Sequence, residues 1–125
     1  MMRKNNRSTG FQGEELACRH LVKKGYMILE RNRRSEHYEI DIVAMDRNII
    51  VFCEVKTSRT NRFGPSITWV TPEKTKHISR AASNYIATHN TKDFSFRFDV
   101  IGLEVKGGKI EINHIKNAFT APEDT

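Results

Sequence analysis

Residues 38–57 read YEIDIVAMDRNIIVFCEVKT, two alternating apolar segments around a short polar turn. The pattern predicts a β-hairpin, in which every second side chain shares a face. Tyr38, Ile40, Ile42 and Ala44 fall on one face of the first strand, with Glu39 and Asp41 on the other. In the second strand Ile50, Phe52, Glu54 and Lys56 lie together. A two-residue loop with Met45 opposite Asn48, or a four-residue loop with Met45 opposite Ile50, puts Asp41 and Glu54 on one face, whereas a three-residue loop separates them. The four-residue register also sets Asp41 opposite Glu54 and Glu39 opposite Lys56. Carboxylates placed opposite one another repel, and burying them unpaired is costly. Two arrangements answer that cost: a hard divalent cation beside the lysine, or a solvated sheet face with Glu39–Lys56 and Asp41–Arg47 ion pairs. Alternation alone leaves both open.

Upstream, residues 26–32 (YMILERN) read as a strand and 33–37 as a polar turn. Before them a helix is expected over 9–24, with Thr9 and Gln12 at capping-box spacing and Gly25 placed to end it. Gly10, Phe11, Ala17, Cys18, Leu21 and Val22 make its apolar stripe, and Glu14 falls in the middle of that stripe. A favourable helix dipole explains an acid near the N-terminus but not its choice of the core-facing side, which reads as functional. Gly10 and Gly13 are expected to let the helix approach the sheet, and residues 1–7 form a loose basic arm.

Downstream, residues 58–68 form a loop in which Arg59 and Arg62 flank the hairpin, with Phe63 beside them, suited to a phosphate backbone and a stacked base. Thr71-Pro72-Glu73 is a helix start. The helix that follows carries Ile78, Ala81, Ala82, Tyr85, Ile86 and His89 as one stripe. Lys74 and Lys76 occupy its first turns, where the dipole disfavours cations and an external anion would find them useful. Residues 94–105 and 109–115 form a second hairpin around Gly107-Gly108, and 117–125 a frayed acidic tail. His20, His37, His77, His89 and His114 show no metal spacing and read as surface or edge residues.

A length of 125 residues suits one domain with a single modest core. With 21 Lys+Arg against 15 Asp+Glu the net charge is +6, which suits a polyanion such as nucleic acid. Cys18 and Cys53 make neither a disulfide framework nor a zinc motif and are expected as buried thiols. No apolar run has the length of a signal peptide core or a membrane span, so a soluble cytoplasmic protein without a membrane partner is expected.

A helix with an inward glutamate, a strand with Asp41 and a strand with Glu54-Val55-Lys56 resemble, in that order, the core of the PD-(D/E)xK nuclease superfamily. More narrowly, the chain resembles the YraN-like family, related to archaeal Holliday-junction resolvases, over about residues 10–100. The motifs are Gly10-x-x-Gly13-Glu14-x-x-Ala17, Glu39-Ile40-Asp41-Ile42-Val43-Ala44, Phe52-Cys53-Glu54-Val55-Lys56-Thr57, Phe63-Gly64, Lys74 and Arg97-Phe98-Asp99-Val100. The resemblance implies an α/β fold, a mixed central β-sheet flanked by helices with a restriction-endonuclease-like core. It implies Mg²⁺ or Mn²⁺ bound by Asp41, Glu54 and the carbonyl of Val55, with Glu14 as a further acidic ligand. Lys56 would orient the attacking water and stabilise charge on the phosphate. The expected function is hydrolysis of phosphodiester bonds in nucleic acid, DNA rather than RNA and branched DNA in particular, by a homodimer if two strands are cut. A non-catalytic nucleic-acid-binding module and a basic protein-interaction module are the alternatives. Tyr38 stands where the family usually has glycine.

Overall fold

The computed structural model describes residues 5–35, 38–58 and 71–121, with side chains described for 12–34, 38–58 and 71–121. Its elements are α1 (Asn5–Lys23), β1 (Met27–Ser35), β2 (Tyr38–Asp46), β3 (Ile49–Ser58), α2 (Pro72–Thr88), β4 (Ser95–Lys106) and β5 (Lys109–Phe119). The strands form one five-stranded sheet in the order β1-β2-β3-β4-β5. Every neighbouring pair is antiparallel except β3–β4, which is parallel and joined through α2. A parallel pair needs such a crossover because a tight turn cannot return the chain to the same end.

The central hairpin has Met45 opposite Ile50, and Asp46 and Ile49 also pair, leaving Arg47 and Asn48 as the turn. Arg47 takes the left-handed conformation (φ 62°) that such tight hairpin turns require. This is the expected register in which Asp41 and Glu54 share a face, with each strand one residue longer than anticipated.

Both faces of the sheet are covered, so the single core expected is two clusters. On one face Ala17, Cys18 and Leu21 of α1 pack against Ile42, Ala44, Val51, Cys53 and Ile101. On the other, Ala81, Ala82 and Tyr85 of α2 pack against Ile40, Val43, Ile50 and Phe52. Tyr85 meets the Phe52 ring edge-on at 5.8 Å. Both cysteines are buried free thiols, as expected.

Several boundaries depart from expectation. α1 begins at Asn5, inside the presumed loose arm, while Val22 is 57% exposed and leaves the apolar stripe. The helix does end at Gly25, which takes φ 95° while its N–H reaches Val22 O at 2.9 Å. β1 runs on through the supposed turn, because Arg33 and Ser35 pair with Ile40 and Tyr38. β5 continues to Phe119 rather than fraying at 117, since Asn117 N–H donates to Asp99 Oδ1 (3.0 Å) and Phe119 stacks on Phe98 at 4.8 Å. Thr71 caps α2 as expected, its hydroxyl accepting from Lys74 N–H at 3.2 Å.

Candidate metal centre

β2 and β3 part where the acids begin. Their ladder ends at Ile42 opposite Cys53, while β3 continues beside β4 as far as Ser58. In place of further backbone pairing, Asp41 Oδ2 accepts a hydrogen bond from Val55 N–H at 2.8 Å. The rung is distorted on its other side as well: Asn32, which falls opposite Asp41 between the pairs Arg31–Ile42 and Arg33–Ile40, has φ 53°. Ile40 packs on the α2 side and Ile42 on the α1 side, so simple alternation breaks at Asp41.

Asp41 and Glu54 line one cleft of about 230 Å³ with Tyr38, Glu39, Lys74 and His77. Burial, and then the like charge of Glu54, push the Asp41 carboxyl up to about 8, against the opposing hydrogen bond from Val55 N–H. Glu14 is half-buried in α1; burial raises its pKa, the Asn32 side chain and Arg31 oppose this, and Glu39 and Glu54 add to it. Its inward face is therefore as the sequence indicates. Gly13 places it there: a Cβ at Gly13 would overlap Thr57 Oγ1, so only glycine allows α1 this close to β3.

Neither ion pair of a merely solvated face forms among the described residues. Glu39 meets Arg34 at 4.0 Å, and the partner of Asp41 is a backbone amide. Lys56 is exposed and makes no ion pair among the described residues. The cation that touches Glu54 is Lys74, its Nζ 2.8 Å from Oε2. Burial disfavours its charge, yet the hydrogen bond and attraction to Glu54 outweigh this and raise its pKa. Lys74 therefore faces the acids, whereas Lys76 is exposed on α2; Arg59 and Arg62 lie outside the described residues.

The donor set fits a hard divalent cation of the Mg²⁺ or Mn²⁺ kind, which takes one or two carboxylates and keeps several waters. Asp41, Glu54 and the Val55 carbonyl would hold it, with Glu14 further out. Among the described residues no three Asp, Glu, His or Cys side chains converge closely enough to hold a metal ion together, so Asp41 and Glu54 stand as a pair that Glu14 does not complete. A larger cleft of about 780 Å³ runs along the outer side of α1 past Leu16, Cys18 and Val22, away from Asp41 and Glu54.

Asp99, flagged by its motif, lies on the α1 side of the sheet and serves the fold. It is fully buried, accepting from Arg97 Nε and Nη2 at 2.9 Å each and bonded to His114 Nε2 at 2.8 Å. Arg97 in turn reaches Tyr26 Oη at 2.7 Å and Asp46 at 3.3 Å. His114 lies on the edge strand β5, one of the two places expected, yet its side chain is only 3% exposed because it turns in to Asp99. Sequence reasoning also missed Asn32, for which an asparagine inside a strand is the one available signal.

A five-stranded mixed sheet with a helix on each face, its acids at a parted hairpin, defines an α/β protein, an architecture consistent with the restriction-endonuclease-like core expected. The chain belongs to UPF0102, the YraN-like family: the model described as "Uncharacterised protein family UPF0102" matches residues 13–103. That span takes in Glu14, Asp41, Glu54, Lys56 and Lys74. Relatives called UPF0102 proteins include one from Syntrophomonas wolfei, 46% identical over 91% of this chain and 99% of its own. One from Geobacter metallireducens is 45% identical over 92% and 94%, and one from Clostridium perfringens 41% identical over 94% and 98%.

Proposed function

We propose that the protein is a divalent-metal-dependent endonuclease that hydrolyses phosphodiester bonds in nucleic acid, DNA rather than RNA and branched DNA in particular. The observation that carries this reading is the convergence of Asp41 and Glu54 in one cleft where their strands part, with the Asp41 carboxyl pushed up to about 8. Two acids held so close are a poor sheet face and a good cation site. Asp41, Glu54 and the Val55 carbonyl hold the cation, and Val55 N–H fixes the Asp41 carboxylate. When bound, the metal lowers the pKa of a water and clamps phosphoryl oxygens. Lys56, next on the same side of β3 after Glu54, orients the water and stabilises charge gathering on the phosphate. Glu14 contributes from α1, and the basic surface of the chain positions the phosphate backbone.

The test is incubation of the purified protein with duplex, single-stranded and four-way-junction DNA, in Mg²⁺, Mn²⁺ or EDTA, beside Asp41→Asn. Cleavage requiring metal and Asp41 is expected; cleavage that survives both EDTA and the substitution overturns the reading. Cutting both strands of a junction needs two centres, so a homodimer is expected on junction DNA by analytical ultracentrifugation. A second reading, a nucleic-acid-binding module without turnover, is favoured by the exposed Lys56, and predicts DNA binding that persists in Asp41→Asn with no cleavage by either protein.

A further inference from the structure

The acidic cleft already contains a cation of the protein's own. Lys74 Nζ stands 2.8 Å from Glu54 Oε2, the Glu54 side chain 12% exposed and that of Lys74 43%. The lysine reaches in from the first turn of α2, where its own N–H is capped by Thr71 Oγ1. The backbone is thereby fixed while a flexible four-carbon stem carries the charge. A helix N-terminus disfavours an ammonium, so Glu54 is what draws Lys74 inward. The ammonium meets only one of the two acids: Asp41 has Val55 N–H as its partner and no ion pair among the described residues.

We propose that Lys74 is a displaceable occupant of the metal centre. Its ammonium holds Glu54 in the metal-free protein and competes with the incoming divalent cation. Once displaced, it stands at the mouth of the cleft as a contact for a substrate phosphate. A divalent ion satisfies both acids where the lysine satisfies one, so the exchange runs toward the metal. The partly exposed stem gives the ammonium a way out without moving α2. Lys74 thus contacts phosphate only in the loaded protein, which couples cation binding to substrate binding through one side chain. The inference rests on the metal-centre reading above.

The experiment is calorimetric titration of Mn²⁺ into the full chain as wild type, Lys74→Met and Asp41→Asn, followed by binding of a short DNA duplex with and without Mn²⁺. Competition from a partly exposed ion pair weakens apparent affinity by about two- to fivefold, so Lys74→Met is expected to bind Mn²⁺ more tightly by that factor. It is also expected to lose the gain in DNA affinity that Mn²⁺ gives the wild type. Mn²⁺ binding that depends on Asp41 but is equal or weaker in Lys74→Met overturns this inference and leaves the metal centre standing. No Mn²⁺ binding by the wild type, or binding indifferent to Asp41→Asn, overturns both. Should Lys74→Met fail to melt cooperatively, Lys74→Gln is read in the same way.

Discussion

Asp41, half-buried, and Asp99, fully buried, lie on opposite sides of one sheet and answer to opposite electrostatics. For Asp41, burial and Glu54 raise the carboxyl to about 8. For Asp99, burial alone would do the same, but the hydrogen bonds from His114, Arg97 and Asn117 N–H outweigh it and the pKa is lowered. A raised folded pKa means that the contribution of Asp41 to stability is fully present below its unfolded value of 3.8 and is lost as pH rises toward about 8. Asp41→Asn, which keeps an acceptor for Val55 N–H, is therefore expected to stabilise the metal-free protein at pH 9 by on the order of 2 kcal/mol and by less at pH 5, measured by urea unfolding. Asp99 has the reverse sign: its contribution is present above the unfolded pKa and disappears as pH falls through the lowered folded one. Asp99→Asn is expected to cost about 3 kcal/mol at neutral pH, because it removes the buried charge that Arg97 and His114 share and leaves Arg97 only the more exposed Asp46, with a smaller difference under acid conditions. The side-sharing of Asp41 and Glu54 was legible from the hairpin register, which pairs the neighbouring Ile42 and Cys53, whereas the break in alternation between Asp41 and Ile40 was not. Nor was the role of Asp99, because His114 and Asn117 meet it, and Tyr26 and Asp46 meet its partner Arg97, only after distant parts of the chain assemble.

Among the elements, the approach of α1 to β3 decides whether Glu14 reaches the other acids. Gly13→Ala would gain up to about 1 kcal/mol of helix propensity, but the new methyl collides with Thr57 Oγ1 and crowds Leu103 Cδ1 at 3.3 Å. Overpacking of that kind typically costs about 1–3 kcal/mol. A net fall in melting temperature is expected as α1 is pushed outward, and, if the proposed nuclease reading holds, a loss of cleavage on junction DNA. The glycine pair indicated this contact from sequence, and α2 was readable because Thr71-Pro72 and a periodic apolar stripe mark a helix unambiguously. The end of β1 was not: Arg33-Arg34-Ser35 looks like a turn because its support comes from elsewhere. Arg33 bonds Asn84 at 3.2 Å and Thr88 at 3.3 Å on α2, and no local pattern encodes that. Nor does the pattern of α2 announce that Lys74 meets Glu54, which follows from how the crossover docks.

For the whole molecule, a chain of net charge +6 holds an acidic cleft. Binding carried by phosphate contacts is expected to weaken at least about tenfold between about 50 and 200 mM salt, measured by fluorescence anisotropy with a labelled duplex. Affinity indifferent to salt would point to a partner other than nucleic acid. Charge balance was readable from composition, whereas the two-sided core was not, because it depends on α1 and α2 choosing opposite faces of the sheet.

The parallel seam between β3 and β4 joins Ile49 to Ser95 and Ser58 to Glu104, while β2 meets β3 across a single turn at Asp46 and Ile49. Closing the short loop is entropically cheaper, so the hairpin is expected to assemble ahead of the seam. During folding, then, Asp41 and Glu54 come together while Lys74 still rides on an undocked helix, and at the proposed metal centre a divalent ion arriving at that moment would meet them uncontested. Mn²⁺ present throughout refolding is expected to be captured faster than Mn²⁺ mixed with the finished protein, a difference that stopped-flow mixing can time.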